Sequence, residues 1–132
     1  DGPGVVVGRK GSAGRVHWVA EDYWPHDTTL YVKCFGGNSR RYIYYKLVAM
    51  KLETFDTGSA NPTVNRNIVH PVHVSWPPEE EQQKIVDMLD SLLGTMEEVA
   101  TRSRHSIDRL QEYRQALITA AVTGQLDIGE AA

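Results

Sequence analysis

A long helical pattern between residues 77 and 124 constrains this chain more than any other feature of its sequence. The segment opens with two prolines, continues with three glutamates at residues 79–81 and closes at Gly124. Proline fits a first helical turn because its missing N–H has no partner there, and the helix dipole favours acidic side chains beside it. Glycine is typical of the position after the last turn. The sequence therefore predicts one helix about 70 Å long.

Apolar residues in this segment recur in steps of three and four, which is the spacing of one helix face. The small module before the helix cannot cover a stripe of this length, so the helix requires a partner helix. Near Ser103 two successive steps of four amount to a stutter, and we expect a coiled coil with two regular ends and a weaker centre. The predicted pairing residues are Ile85, Leu89, Leu92, Met96, Val99, Ile107, Leu110 and Leu117.

Charge divides unevenly along the chain. Residues 1–77 carry nine basic and six acidic residues, a net charge of +3, whereas residues 78–132 carry five and eleven, a net charge of −6. A polyanion, if one binds, therefore binds the N-terminal part. An excess of this size is common in domains that bind no polyanion, so charge alone leaves the function open.

Strand patterns dominate the first third of the chain. β-Branched runs at Val5–Val7 and Val16–Val19 predict two strands joined by a glycine-rich loop. Thr28–Phe35 predicts a third strand, which ends at a pair of glycines.

A helix, a polar loop and a last strand are expected next. Ser39 or Asn38 can cap a helix over residues 40–55. Residues 56–67 are rich in turn formers, and residues 68–76 predict an edge strand interrupted by Pro71. The fold class is therefore α+β, and the predicted boundaries are a β-rich head (residues 1–77), the long helix (78–124) and a tail (125–132).

The loop GRKGSAG at residues 8–14 has two interpretations. Its glycines could let backbone N–H groups cradle an anion, although it lacks the GK[ST] ending and the following helix of a P-loop. A hairpin loop that requires positive φ is the favoured alternative. In either interpretation the loop can contact a nucleic-acid backbone, through Arg9, Lys10 and Ser12.

The polar loop at residues 56–67 is the second candidate binding segment. Its side chains can donate or accept hydrogen bonds at base edges or phosphates, while an ordinary surface loop remains equally compatible with its composition. The candidate contact residues are Ser59, Asn61, Thr63, Asn65 and Arg66.

No catalytic constellation is visible in the sequence. His26 and Asp27 are adjacent, but no nucleophile accompanies them. His70 and His73 lie three apart on a predicted strand and would point to opposite faces, so we expect no metal site. Cys34, the single cysteine, excludes an intrachain disulfide and fits a reducing compartment. The chain is interpreted as a binder without a cofactor of its own.

The order of these segments resembles the specificity subunit of type I restriction-modification systems. GVVVGRKGSAGRVHWV is similar to the strand–loop–strand of that family's target recognition domains, and RRYIYYKLVAMKLETF to the helix that follows. TGSANPTVNRNIVHPVHVSWPPEEEQQKIVDMLD resembles the junction with the family's long helix, and LITAAVTGQLDI resembles its ending. The junction and the ending together carry the resemblance.

The resemblance implies a non-catalytic role. In that family the recognition domain reads half of a split target in double-stranded DNA, and two long helices pair antiparallel to set the distance between half-sites. Methyltransferase and restriction subunits are the implied partners, and S-adenosylmethionine, ATP and Mg²⁺ would bind only to them, in the cytoplasm. The resemblance further implies that these 77 residues are the C-terminal remainder of a larger second recognition domain. The site residues it points to are those of the two loops.

A second function remains open from the residues alone. A coiled-coil assembly protein whose head binds protein rather than DNA would show the same long helix and the same modest charge.

Overall fold

A computed structural model of the chain describes residues 2–55 and 63–126. Contacts divide the chain into two compact units, residues 1–89 and 90–132. The first contains a small antiparallel sheet and two helices, and a long helix runs from the first unit into the second. The α+β fold class is therefore confirmed.

Three short strands form the sheet. They are β1 (Gly4–Gly8), β2 (Val16–Val19) and β3 (Thr29–Tyr31), arranged β2-β1-β3 with both pairings antiparallel. Central β1 alternates as a half-buried strand should, and its buried side chains Val5 and Val7 form the middle of the core.

The third strand is shorter than the sequence predicts. Pairing was expected over Thr28–Phe35, but the regular ladder stops at Tyr31, with one further bond from Val32 N–H to the carbonyl of Val5 at 3.1 Å. The partner strand itself begins at Gly4, and Pro3 before it has no N–H to donate. A third strand extended beyond Lys33 would therefore lie opposite Pro3, which cannot donate to it.

Helix α1 (Arg40–Ala49) starts where the sequence predicts but ends earlier. Ser39 is the N-cap, and its hydroxyl accepts from the N–H of Tyr42 at 3.4 Å. Lys51 adopts a positive φ of 49°, which breaks the helix, and residues Leu52–Phe55 continue as a short 3₁₀ helix. The predicted single helix over 40–55 is therefore wrong in its last third, because this turn is what carries Leu52 into the core, where it is 2% exposed.

The predicted strand at residues 68–76 is also wrong. The chain forms a one-turn helix α2 (Arg66–Val69), and no regular element follows before α3. Asn65 starts this turn by accepting from the N–H of Asn67 at 2.9 Å, and Pro71 then provides no N–H for either a helix or a ladder. The cap at Asn65 therefore favours a helical turn here over the strand that the β-branched composition predicts.

The long helix α3 (Glu79–Val122) forms as predicted over 44 residues. Pro78 accepts the first backbone bonds, from Glu81 and Gln82, at 3.0 Å each. Gly124 has φ +69° after the last turn, and the N–H of Gln125 reaches back to the carbonyl of Ala120 at 2.8 Å. The predicted glycine stop is confirmed.

The core of the described residues is small and belongs to the first unit. α3 contributes Val86 and the polar Gln82 to it, so the first turns of α3 pack with the head. No helix in the described ranges has the length and apolarity that crossing a membrane requires. The buried apolar residues are Val5, Val7, Tyr42, Ile43, Leu52, Val64 and Val86.

Two glycines of the β1–β2 loop allow a matched stability test. Both have positive φ, +76° at Gly11 and +80° at Gly14, but a Cβ at Gly14 would overlap the backbone of Glu53, whereas one at Gly11 would meet nothing within 4 Å. Gly11→Ala should cost about 1 kcal/mol from φ alone. Gly14→Ala should cost about 3 kcal/mol, because the 3₁₀ helix must also move away. Urea unfolding checks the difference, and equal losses would contradict the close approach.

Candidate functional site

The structure brings part of the two predicted binding segments together. Lys10 and Thr63 form an isolated antiparallel bridge, and the N–H of Val64 donates to the carbonyl of Arg9 at 3.1 Å. The chain that leaves the polar loop therefore runs alongside the glycine loop. Ser12 is exposed in the same glycine loop.

Two predicted contact residues, Ser59 and Asn61, lie outside the residues that the structure describes. Of the polar-loop candidates, only Thr63, Asn65 and Arg66 can therefore be placed.

The glycine loop is a hairpin connection whose amides are largely occupied. The N–H groups of Arg9 and Lys10 both donate to the carbonyl of Thr28, at 2.9 and 3.2 Å. Within the loop, Ser12 donates to Lys10 at 2.9 Å and Gly14 donates to Gly8 at 2.9 Å. These four amides cannot also cradle a phosphate, so the hairpin interpretation is confirmed. The positive charge that an anion would meet here comes from the side chains of Arg9 and Lys10.

A groove of about 860 Å³ opens beside this hairpin, and we call it the basic groove. Its rim carries three permanent cations, Arg9, Lys33 and Arg66. Asp27 is the single acid among its lining residues in the described part of the chain. A groove with this excess of positive charge attracts an anionic ligand, and its low-dielectric walls strengthen that attraction. Its apolar floor and remaining polar lining are Val7, Pro25, His26, Thr29, Leu30, Tyr31, Val32, Leu47, Leu52, Val64, Val69 and His70.

The side chain of Asn65 forms a hydrogen bond with the backbone two residues further along the chain. Its side-chain oxygen accepts from the N–H of Asn67 at 2.9 Å, which uses one of its two acceptor positions and holds the side chain against its own backbone. The cap fixes the start of α2, whose first residue is Arg66, an exposed cation on the groove. The structure thus gives Asn65 a positioning contact that sequence reasoning did not anticipate.

Sequence reasoning missed Lys33 and His70 as groove residues. Lys33 lies two residues after the end of β3, on a segment predicted as regular strand, and its alternation with Tyr31 is a usable signal. His70 was placed on a strand that does not form. Instead it lies just beyond α2, which turns it toward the groove.

A second missed feature is an arginine held among aromatic rings. The guanidinium carbon of Arg41 lies 5.1 Å from the ring centre of Trp18, 5.2 Å from that of Tyr44 and 5.1 Å from that of Tyr45. The contact with Trp18 connects α1 to β2, whereas Tyr44 and Tyr45 lie on α1 itself. Neighbouring Arg40 stacks on Phe35 at 5.1 Å and donates to the carbonyl of Pro3 at 2.7 Å.

Groups with possible catalytic or metal chemistry are sparse in the described residues. His26 Nδ1 lies 2.6 Å from an oxygen of Asp27, but both side chains are mostly exposed. His70 and His73 do not sit on opposite faces of a strand as predicted, because that strand is absent. The described ranges contain no group of three metal-ligating side chains.

Comparisons with known proteins point in one direction. A sequence model of the type I restriction modification DNA specificity domain matches residues 1–104. The chain is 23% identical over 125 residues to the type I restriction enzyme EcoBI specificity subunit of Escherichia coli, covering 92% of this chain and 26% of that protein. It is 32% identical over 69 residues to the EcoDI specificity subunit of the same organism, covering 52% of this chain and 16% of that protein. The chain thus spans about a quarter or less of these relatives.

The cap at Asn65 is testable without any ligand. Asn65→Ala should cost about 1 kcal/mol of stability, because the N–H of Asn67 loses its acceptor. Asn65→Asp keeps an oxygen at the same place and should stay close to the original stability. Hydrogen exchange at Asn67 gives the local measurement, with faster exchange in the alanine variant alone. Equal exchange in all three proteins would show that the cap does not form in solution.

Proposed function

The chain belongs to the type I restriction-modification DNA specificity family, and from that premise we propose that it supplies sequence recognition for one half of a bipartite DNA target. The double-stranded DNA would lie against the head, and the long helix would set its distance from the second half-site. The chain itself would be non-catalytic.

The observation that carries this proposal is the cationic rim of the basic groove. Arg9 comes from the glycine hairpin, Lys33 from the segment after β3 and Arg66 from the start of α2, so three separate parts of the chain contribute charge to one opening. DNA-binding proteins gain most of their sequence-independent affinity from such contacts to phosphates. The adjoining Lys10, Ser12 and Thr63 would extend the contact surface, and the polar loop would supply base contacts.

The exposed apolar side of α3 supports the spacer role. Leu92, Met96 and Leu110 are 53%, 66% and 66% exposed, which is unusual for side chains of this size. A second helix of the same kind, packed antiparallel, would cover them, either from the rest of a longer subunit or from a second copy of this chain. Ile85 and Leu89 are only half-exposed, because the first turns of α3 already pack with the head.

Partner subunits would carry the chemistry. We propose methyltransferase subunits that use S-adenosylmethionine and a restriction subunit that uses ATP and Mg²⁺, with this chain holding none of these groups. The assembly would act in the cytoplasm, where its DNA lies.

A coiled-coil scaffold with a protein-binding head is the second candidate. The exposed stripe on α3 favours it as strongly as it favours the spacer role, since both functions need a partner helix. The two candidate functions differ only in the ligand of the head, which is DNA in the first and protein in the second.

The salt dependence of DNA binding tests the proposal directly. Arg9→Ala and Arg66→Ala should each weaken binding to all sequences and lower the slope of log K against log salt by about 0.9, the value for one phosphate contact. Arg109→Ala, a change of the same charge in the part of α3 that belongs to the second unit, serves as the control and should leave the slope unchanged. Mobility-shift titrations over several salt concentrations measure this. No shift at any salt concentration would favour the scaffold.

Helix pairing gives a second test. Leu110→Glu and Met96→Glu place a charge where an apolar contact is expected, and each should raise the dissociation constant of self-association at least about tenfold, or 1.4 kcal/mol. Gln111→Glu adds the same charge beside the stripe and is the control. Sedimentation measures association, and circular dichroism checks helix content. A strictly monomeric parent chain with an intact helix would contradict pairing between copies.

A further inference from the structure

One buried polar side chain joins α3 to the head. Gln82, in the first turns of α3, is 2% exposed and is the single buried polar residue among those that the structure describes. Burying an amide is unfavourable unless its hydrogen bonds are replaced, and each unpaired group costs stability. Its presence among apolar core residues therefore requires a specific set of partners.

The amide of Gln82 has three such partners. Its oxygen accepts from the N–H of Ser39 at 3.0 Å, and its nitrogen donates to the side-chain oxygen of Asn38 at 2.7 Å and to the carbonyl of Pro77 at 2.9 Å. Asn38 in turn donates to the carbonyl of Phe35 at 2.9 Å. Donors and acceptors fit in only one orientation of each amide, so the network is unambiguous.

These bonds link two segments that are far apart in sequence, the start of α1 and the start of α3. Ser39 is the N-cap of α1, Asn38 precedes it, and Pro77 is the entry to α3. The bonds have different directions, so they are satisfied together at only one rotation of α3 about its axis. A rotation by one residue would present Gln83 instead, which is exposed and bonded to Asp87 at 2.8 Å.

Apolar packing alone does not supply this restriction. Val86 is buried one turn further along α3, and Ile85 is half-buried beside it. Their contacts attract the helix to the head but are not directional, since the hydrophobic effect depends on area rather than angle. The hydrogen bonds of Gln82 are directional and are strengthened by their dry surroundings.

We propose that Gln82 is a positioning residue that fixes the rotation of the first turns of α3 against the head. The next step rests on the proposed function: this rotation determines at which angle around the DNA axis the head meets its half-site. It thereby determines the spacer length that the assembly accepts. A glutamate could accept from Ser39 but would repel the oxygens of Asn38 and Pro77. A neutral amide is thus the group that fits all three partners.

The first measurement needs no DNA. Spin labels at the native Cys34 and at Met88→Cys report the distance between head and helix within the first unit, with unlabelled chain added to dilute contacts between copies. The original protein should give one narrow distance distribution. Gln82→Met keeps the side-chain length, removes the three bonds and should broaden or shift that distribution. Gln83→Met, the same change at the exposed neighbour, should leave it as it was.

Asn38→Ala is a second variant that keeps the test valid if Gln82→Met does not fold. It removes one of the three bonds from the opposite side and should broaden the distribution less than Gln82→Met does. Circular dichroism and urea unfolding establish which variants remain folded. If folded Gln82→Met and Asn38→Ala both keep the narrow distribution, Gln82 only stabilises the junction and the proposal is overturned.

The second measurement uses spacer length as the readout. Assemblies with methyltransferase subunits are given DNA libraries in which the spacer between half-sites varies, and methylated sites are sequenced. Gln82→Met should reduce the preference for the best spacer over spacers one base pair longer or shorter about tenfold, a loss that one or two hydrogen bonds account for. Gln83→Met should retain the preference. Lower methylation at an unchanged preference overturns the positioning role in DNA recognition.

The two measurements separate this inference from the proposed function. If the parent assembly methylates no bipartite site, the proposed function fails, while the label distances still decide whether Gln82 positions the helix.

Discussion

The hydrogen-bonded amide of Gln82 is the contact on which the arrangement of the first unit depends. It is buried, it satisfies donors and acceptors on Asn38, Ser39 and Pro77, and it connects the cap of α1 to the start of α3. Apolar burial at Val86 holds the same junction together but permits sliding and rotation. A buried polar group with one set of partners provides specificity that a small core otherwise lacks.

The candidate binding surface depends on a second constraint, the glycine hairpin between β1 and β2. Gly14 lets the hairpin approach the 3₁₀ helix closely, since any side chain there would overlap the backbone of Glu53. Four of the hairpin amides are hydrogen-bonded to Thr28 or within the loop, and the hairpin contributes positive charge through the side chains of Arg9 and Lys10. Rigid hairpin geometry thus determines where the rim of the basic groove lies.

Sequence reasoning located the candidate site in part. Arg9, Lys10 and Arg66 could be proposed because charge and loop composition are local properties. Lys33 and His70 could not, because their place on the groove follows from where β3 ends and from the turn at α2. The sequence predicts Asn65 as a base contact, whereas the structure shows its side-chain oxygen accepting from the N–H of Asn67. Capping competes with ligand binding for the same side-chain oxygen.

The sequence by itself determined the long helix, its start beside the two prolines, its stop at Gly124 and two of the strands, because each depends on local propensity or periodicity. The family resemblance also came from the sequence, through particular motifs and their order. It failed for residues 68–76 and for the end of α1, where β-branched or helical composition was overruled by Asn65, Pro71 and Lys51. Only the tertiary structure decided that Gln82, rather than a residue of the apolar stripe, makes the directional contact with the head. Two of its three partners, Asn38 and Ser39, lie more than forty residues away, and no periodicity encodes such a contact.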